Sequence, residues 1–218
     1  MKRLTKATVR TALNLLFFTS IGTAILALTF NITFERIAQS EVTAKLKLIN
    51  QVAPQSLYNN DLINDTVAIP ANPLLGTDQE TIAYRGRLNN QPSLVVLESV
   101  APDGYSGKIR MVVAIRNDGV IGGVRVVNHK ETPGLGDYID IAKSQWINLF
   151  AGVSNRRYQE GDWQVKKDGG KIDYMAGATI TPRAVVKAVH NSLQYFEENR
   201  ELLFAMTPHV TKQKEEIK

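Results

Sequence analysis

The sequence predicts an α+β protein, in which one N-terminal transmembrane helix precedes one extracytoplasmic domain with a largely antiparallel sheet and flanking helices. Three observations carry this prediction. Residues 11–34 are mostly apolar and contain no ionisable side chain, strand-like segments follow one another between residues 81 and 127, and a helical pattern closes the chain after residue 181. Strands in series with helices at the two ends indicate an α+β domain rather than a repeating βαβ array.

The apolar segment 11–34 is long enough to cross a bilayer, which takes roughly 20 helical residues. Glu35 and Arg36 follow it with no net charge, whereas the residues before it are strongly basic: Lys2, Arg3, Lys6 and Arg10. This asymmetry predicts a cytoplasmic N-terminus and an outward-facing remainder. A cleaved signal peptide is the alternative, but its apolar core is about 7–15 residues long and precedes a small-residue cleavage site. The present segment is longer, which favours an uncleaved anchor.

Composition excludes several classes of function. The formal net charge of +5 comes from 26 basic and 21 acidic residues. Because four of the basic residues precede the anchor, the remainder is close to neutral, and we predict no nucleic-acid partner. The chain has no cysteine, which excludes thiol catalysis and iron–sulfur ligation by thiolates. The three histidines are scattered without the spacing of metal ligands, so no metal site is predicted.

The pattern divides the chain into five predicted segments: a basic N-terminus at 1–10, the anchor at 11–34, an amphipathic linker helix at 35–53, the domain at 54–206 and a charged tail at 207–218. Strands are predicted at 81–87, 94–100, 109–116 and 120–127, with a short additional one around 67–69. Asn117-Asp118-Gly119 is a strong hairpin turn between the last two strands. A short helix capped by Ser144, a strand at 163–166 and a helix from Pro182 to about Phe204 complete the prediction.

The start of the last helix is the most informative point of the chain. Thr181 is a good N-cap, and Pro182 fits the first helical position. The small residues Gly177 and Ala178 therefore precede a helix N-terminus, where free N–H groups favour an anion such as phosphate. Thr179 places a hydroxyl in the middle of this arrangement. A plain turn before a capped helix remains the alternative for this motif taken alone.

Two further loops contain the residue types that allow close approach to the backbone. Residues 101–107 enter the predicted hairpin, and residues 128–137 leave it. We therefore expect both loops at the same end of the hairpin. The first loop is equally well explained as an ordinary turn. The second is richer than a turn requires, because Pro133, Gly134 and Gly136 stand beside Glu131 and the apolar Leu135.

Three ordered motifs now coincide: Gly-Tyr-Ser-Gly at 104–107, Glu-Thr-Pro-Gly-Leu-Gly at 131–136 and Gly-Ala-Thr at 177–179. They closely resemble the motifs of the covalent FMN-binding domain family. With the anchor, nearly the whole chain resembles the G subunits of the Rnf (Rsx) electron-transport complex. It is more distantly similar to the C subunits of the sodium-translocating NADH:quinone reductase.

The resemblance implies that FMN is joined through its phosphate to the hydroxyl of Thr179. It also implies that the ring lies on the two loops, with apolar contacts from Pro133 and Leu135 and close backbone approach at Gly134 and Gly136. The implied cofactor-binding residues are Thr179, Gly177, Ala178, Glu131, Thr132, Pro133, Gly134, Leu135, Gly136, Tyr105 and Ser106. Ala176 departs from the family pattern, because Ser or Thr is usual there, but the accepting hydroxyl is still present.

By the same resemblance, the chain sits in a bacterial inner membrane with its domain in the periplasm. Its implied partners are other subunits of an ion-translocating complex and a flavin transferase that installs FMN. We therefore predict a redox-active, electron-relaying subunit of an oxidoreductase complex rather than a stand-alone enzyme. The alternatives are an anchored binding or scaffold module with no redox role, and a flavin domain that serves an external reductase.

Overall fold

The structure is a computed structural model that describes residues 2–206. Its centre is one five-stranded sheet in the order β1-β2-β3-β4-β5, and every neighbouring pair is antiparallel. The predicted antiparallel sheet and α+β class are therefore confirmed. The strands are β1 Thr66–Ile69, β2 Thr81–Leu88, β3 Gln91–Ala101, β4 Ile109–Arg116 and β5 Ile121–Asn128.

The β4–β5 hairpin forms at the predicted turn. The Gly119 N–H donates to the Arg116 carbonyl at 2.9 Å, and the Asp118 carboxylate accepts a bond from the Val120 N–H at 3.2 Å. Gly119 has φ +82°, a left-handed conformation that favours glycine. The turn fixes the register of the two strands, so the loops before β4 and after β5 emerge at the same end of the sheet.

One face of the sheet is covered by the long helix α2, Ile180–Ala205, which packs on β3 and β4. Apolar residues at helical spacing point at the sheet, as the sequence pattern predicts. The helix contributes Val185, Val189, Leu193 and Phe196 to the main core, all at 0% exposure. This packing holds the N-terminal end of α2 against the domain.

The other face of the sheet is covered by the last turns of α1, Lys2–Val52. Ile49 and Val52 are buried there against Leu94, Val96 and Val112 of the sheet, with further members of this second core at Ala53, Leu62, Tyr84 and Ala114. Lys45 pairs with Glu98 at 2.8 Å on this side. The compact unit that contains the sheet begins at Lys45, and residues 1–44 form a separate unit.

The N-terminal unit contains one helical stretch that is long and apolar enough to cross a membrane, Lys6–Phe34, with a mean hydropathy of 1.9 and none of it buried. Four threonines of this stretch donate their hydroxyls to carbonyls one turn earlier: Thr11 to Ala7 at 3.1 Å, and Thr19, Thr29 and Thr33 to Leu15, Ile25 and Thr29 at 2.8 Å. Such self-satisfied hydroxyls are compatible with hydrocarbon, where an unpaired polar group is costly.

Two local predictions are wrong or shifted. Residues 163–166 are not a strand: 3₁₀-helices occupy Glu160–Asp162 and Lys166–Asp168, and Val165 makes a single bridge to Ile172. The predicted helix at 144–150 is a 3₁₀-helix, Trp146–Phe150, and the Ser144 hydroxyl accepts the Trp146 N–H at 3.0 Å. The predicted charged tail at 207–218 lies outside the described residues, and the domain boundaries stay predictions.

Candidate functional site

Thr179 stands immediately before α2 and is partly exposed. Helix α2 begins at Ile180, two residues before the predicted Pro182, so Thr179 and not Thr181 occupies the N-cap position. Its backbone is helical, with φ −87° and ψ −27°, and its side chain makes no capping hydrogen bond. The hydroxyl of Thr179 is therefore available for chemistry, and the first N–H groups of the helix have no intrahelical acceptor.

Thr181 has a different role from the one predicted. It is 1% exposed, and its hydroxyl donates to Glu131 Oε2 at 2.5 Å instead of accepting a bond from the helix backbone. The prediction of Thr181 as the N-cap is therefore wrong. The physical reason is that a carboxylate fifty residues earlier is the stronger acceptor for this hydroxyl, and it holds the side chain inward.

Glu131 links the first two motifs to the start of α2. One carboxylate oxygen accepts the Thr181 hydroxyl, and the other accepts the Ser106 N–H at 3.0 Å. The first loop and the start of α2, directly after the third motif, thus meet on this one side chain, which is only 4% exposed. A Cβ at Gly104 would lie 2.9 Å from Glu131 Oε1, and one at Gly136 would lie 3.0 Å from Oε2, so only glycine leaves room for the carboxylate at these two positions. The expected meeting of the two loops is confirmed.

The loop at 131–136 has an inner and an outer side. Glu131 and Gly136 are buried, whereas the four residues between them are exposed: Thr132, Pro133, Gly134 and Leu135. The loop is closed on itself, because the Leu135 and Gly136 N–H groups donate to the Thr132 carbonyl at 3.1 and 3.0 Å. The Asp137 carboxylate accepts the Gly134 N–H at 2.8 Å, which fixes a left-handed turn at φ +77°. The outer residues are therefore held rigidly toward solvent.

Large apolar side chains are exposed on the same motifs. Tyr105 is 67% exposed and Leu135 is 49% exposed, although both belong to loops that are tied to the core through Glu131. The segment around Thr179 adds three more: Tyr174, Met175 and Ile180. An exposed apolar surface beside a free hydroxyl and a helix N-terminus fits a ligand that combines a flat apolar ring with a phosphate, as FMN does.

Residues 173–177 form an exposed strap that leads to Thr179, and sequence reasoning missed its main supports. The Trp146 indole N–H donates to the Asp173 carbonyl at 2.6 Å, and the Met175 N–H donates to the Tyr138 hydroxyl at 3.3 Å. The rings of Trp146 and Tyr138 pack edge to face at 5.3 Å. Burial raises the pKa of Tyr138, partly offset by the Met175 N–H, so its hydroxyl stays neutral.

Two cations near the strap are already paired. Lys166 lies 2.6 Å from Asp173, and Arg183 binds Asp168 through two nitrogens. The hydrogen bond between Arg183 and Asp168 raises the pKa of the arginine and lowers that of the carboxyl. An anion bound near Thr179 would therefore be stabilised mainly by the N-terminus of the helix. The two exposed cations would contribute less, because each already has a carboxylate partner.

The site is a surface platform rather than an enclosed pocket. A cavity of about 240 Å³ lies elsewhere, lined by Asp118, Gly119, Ser154, Arg156, Phe196, Glu197 and Arg200, and a second of about 80 Å³ lies between Pro102 and Lys187. Neither is lined by Thr179, by Tyr105 or by the exposed residues 132–135, although the second is lined by Pro102 and Asp103 of the first loop. Within residues 2–206, no cluster of three or more histidines and carboxylates is arranged to hold a metal ion.

Comparison with known proteins agrees with this geometry. Residues 104–194 match the FMN-binding domain family, and residues 1–52 match the RnfG N-terminal region. The G subunit of the ion-translocating oxidoreductase complex of Pseudomonas aeruginosa is 46% identical over 200 residues, which cover 92% of this chain and 94% of the relative. The G subunits of the same complex from Vibrio atlanticus and Shewanella loihica are each 42% identical, over 90% and 91% of this chain and 93% of the relatives.

The chain belongs to the G-subunit family of ion-translocating oxidoreductase complexes. The matched FMN-binding domain begins at Gly104 and ends inside α2, so it contains all three motifs and the strap. Within it the structure brings together Ser106, Glu131 and the start of α2. The sequence analysis missed three residues that support this site: Thr181, Tyr138 and Trp146. No local signal marks Thr181 or Tyr138, because the partner of Thr181 lies 50 residues away and that of Tyr138 lies 37 residues away.

Proposed function

We propose that this chain is the electron-relaying subunit of a membrane-bound ion-translocating complex and carries FMN covalently on Thr179. The family places it among subunits of such complexes, and the matched domain is an FMN-binding one. The observation that supports Thr179 is the free hydroxyl at the start of α2, next to two loops with exposed apolar side chains. In the proposed linkage the threonine oxygen displaces a leaving group from the phosphorus of an activated flavin donor: with a flavin dinucleotide, the bond to AMP breaks as the bond to threonine forms, and AMP and the hydroxyl proton are released.

Bound FMN supplies a redox centre, and the protein sets its position and surroundings. The N-terminus of α2 would hold the phosphate, since an anion there gains about 0.3–1 kcal/mol or more when partly buried. Gly177, at φ +91°, gives the backbone next to the threonine a left-handed turn without a side chain in the way. Pro133, Leu135 and Tyr105 would offer the ring an apolar surface, while Ala178 is buried beneath the attachment point.

The proposed location follows from the anchor. The apolar stretch would fix the chain in the bacterial inner membrane, with its basic N-terminus in the cytoplasm and the domain in the periplasm. Covalent attachment would keep the cofactor on a domain outside the cytoplasm. The proposed partners are the other subunits of the complex, which supply and accept electrons, and a flavin transferase that modifies Thr179.

The first experiment is ultraviolet fluorescence of the denatured full-length protein on a gel after co-expression with a flavin transferase. Wild type should fluoresce, Thr179→Ala should be dark, and Thr179→Ser should keep the signal because it keeps the hydroxyl. Digestion with trypsin releases peptide 172–183, which contains both Thr179 and Thr181, and fragment masses assign the modified residue. Wild-type protein that stays dark, with the transferase active on a control substrate, would overturn the proposal in favour of an anchored binding module.

The departure at position 176 gives a second readout of the same proposal. Ala176 is exposed and makes no side-chain contribution to the strap, so its methyl group leaves the Thr179 hydroxyl reachable. Ala176→Ser should therefore remain fluorescent, with a yield at least equal to that of wild type. A dark Ala176→Ser beside a fluorescent wild type would contradict the view that the side chain at position 176 leaves the Thr179 hydroxyl reachable.

A further inference from the structure

Glu131 is a buried carboxylate without a cation. It is 4% exposed, and in the part of the chain that the structure describes no lysine, arginine or histidine side chain forms an ion pair with it. Buried carboxylates are normally paired with a cation or fully hydrogen-bonded. The other buried acid of this region, Asp137, has Lys143 at 3.9 Å. The carboxylate of Glu131 is therefore held by hydrogen bonds alone.

Both oxygens of the Glu131 carboxylate act as acceptors. The Thr181 hydroxyl and the Ser106 N–H occupy one oxygen each, and the Glu131 N–H itself donates to His129 Nδ1 at 3.1 Å. One bond leads to the helix that begins beside Thr179, and the other leads to the loop that carries Tyr105. Displacing the carboxylate would loosen both elements at once.

We propose that Glu131 is the positioning residue of the FMN site, and this inference rests on the proposed function. Its carboxylate fixes the loop at 104–107 and the start of α2 against the loop at 131–136. Its negative charge, which no ion pair within residues 2–206 offsets, lies directly behind the exposed residues Thr132 to Leu135. Glu131 is not a ring contact, as the resemblance alone would suggest, because its side chain faces inward.

The charge has a consequence for the redox equilibrium. Reduction adds electrons to the flavin, and a fixed negative charge close to it in a partly dry site disfavours that addition. Removing the charge while keeping the shape should therefore shift the equilibrium toward the reduced form. A carboxylate that served only to hold loops in place would affect stability without affecting this equilibrium.

The test compares flavin-loaded, full-length variants in detergent by redox titration. Glu131→Gln removes the charge and keeps the side-chain size, whereas Glu131→Asp keeps the charge. Asp103→Asn is the control, because it removes an exposed charge from the loop at 101–107, where Asp103 pairs with Lys187 at 3.0 Å. We expect Glu131→Gln to shift the equilibrium at least tenfold toward reduced flavin, which is about 30 mV for a two-electron couple. Asp103→Asn should shift it less than twofold, and Glu131→Asp, which keeps the charge but withdraws the carboxylate, should shift it less than Glu131→Gln does.

An unchanged equilibrium in Glu131→Gln, or an equal shift in Asp103→Asn, would overturn the electrostatic role. Gel fluorescence of the same wild-type sample separates this result from failure of the proposed function, since a dark wild type carries no attached flavin to titrate.

A second measurement needs neither flavin nor the Gln variant. In the apo protein, Thr181→Val removes one bond to Glu131, so hydrogen exchange at the Ser106 N–H should become at least tenfold faster through the shared carboxylate. Thr132→Val, on the exposed side of the loop, should leave that rate within twofold of wild type. A Ser106 rate that does not respond to Thr181→Val would overturn the positioning role, even if Glu131→Gln fails to fold.

Discussion

The two ends of α2 are built in opposite ways. At its N-terminal end, Thr179 makes no capping bond, and the neighbouring side chains are exposed. At its C-terminal end, Arg85 donates to the Leu203 and Met206 carbonyls at 3.1 and 2.6 Å, and Arg87 donates to the Phe204 carbonyl at 3.2 Å. Both arginines bind Asp65, through contacts of 2.5 and 2.9 Å.

The C-terminal end of the helix therefore contributes to stability, whereas the N-terminal end is left available for a ligand. Arginine donors complete the carbonyls that every helix leaves open at its C-terminal end, and they tie that end to β2. The N–H groups at the other end are left without side-chain acceptors, which is where an anion is favoured. We call the C-terminal end, whose carbonyls are bonded by arginines, the closed end, and the uncapped N-terminal end the open end. The bonds at the closed end stabilise the helix, so the helix persists although the open end has no cap.

Breaking the closed end should have the largest effect on stability. Arg85→Ala removes a side chain that is 1% exposed and leaves Asp65 and two carbonyls short of a donor. We expect the free energy of unfolding to fall by about 3–5 kcal/mol, measured by urea unfolding of the solubilised protein. Arg116→Ala breaks a half-exposed pair with Asp118 and should cost about 0–1 kcal/mol. Similar losses in the two variants would contradict the special role of the closed end.

Thr181 lies next to the open end and should give an intermediate effect. Thr181→Val leaves one oxygen of the buried Glu131 without its donor, so the free energy of unfolding should fall by about 1–3 kcal/mol. Thr132→Val, on the exposed side of the loop, should stay within about 0.5 kcal/mol of wild type. Thermal or urea unfolding of the two apo variants checks this contrast, and equal stabilities would show that the Thr181 hydroxyl bond contributes nothing net.

His190, in the middle of the helix, should add a smaller, pH-dependent effect. Its ring stacks on Trp163 at 4.8 Å, and burial lowers its pKa from 6.5 despite the opposing charges of Glu160 and Glu197. The unfolded chain therefore binds more protons than the folded protein below pH 6.5. The contribution of His190 to the free energy of unfolding should be complete above pH 6.5 and should decrease as the pH falls below it. His190→Gln should flatten this part of the profile. An unchanged slope would assign the acid sensitivity to other groups.

The smallest effect should come from Thr179 itself. Because its side chain makes no capping bond, Thr179→Ala should change the free energy of unfolding by at most about 0.5 kcal/mol while removing all attached flavin. Urea unfolding of apo wild type and apo variant measures the first quantity. A loss above about 1 kcal/mol, the usual cost of a lost cap, would mean that the threonine also caps the helix.

Elements that depend on local pattern were predicted well from sequence. The β4–β5 hairpin follows from Asn117-Asp118-Gly119 between alternating strands, and α2 follows from apolar residues at helical spacing. The alternation at 163–166 is also real, since Trp163 and Val165 are buried while Gln164 and Lys166 are exposed. It belongs to a bend with a single bridge between two 3₁₀-helices rather than to a strand of the sheet, and period alone does not distinguish the two.

Interactions between distant residues were not predictable from sequence. Thr181-Pro182 is a good local start for a helix, yet the carboxylate of Glu131 takes the threonine hydroxyl away from the backbone. Arg85 gave no signal at all, because its role depends on carbonyls 118 and 121 residues later. In each case the deciding partner is brought close only by the fold, so neither propensity nor spacing contains the information.

The sheet order has a consequence for the timing of assembly. Each strand pairs with the strand next to it in the chain, so the sheet closes through short loops, which favours rapid formation. Helix α2 closes much longer loops, including the bond between Arg85 and Leu203, and we expect it to dock last. The strap and Thr179 then acquire their setting only at the end of folding. If the transferase recognises the folded arrangement of the strap and Thr179, only molecules that have finished folding would receive flavin.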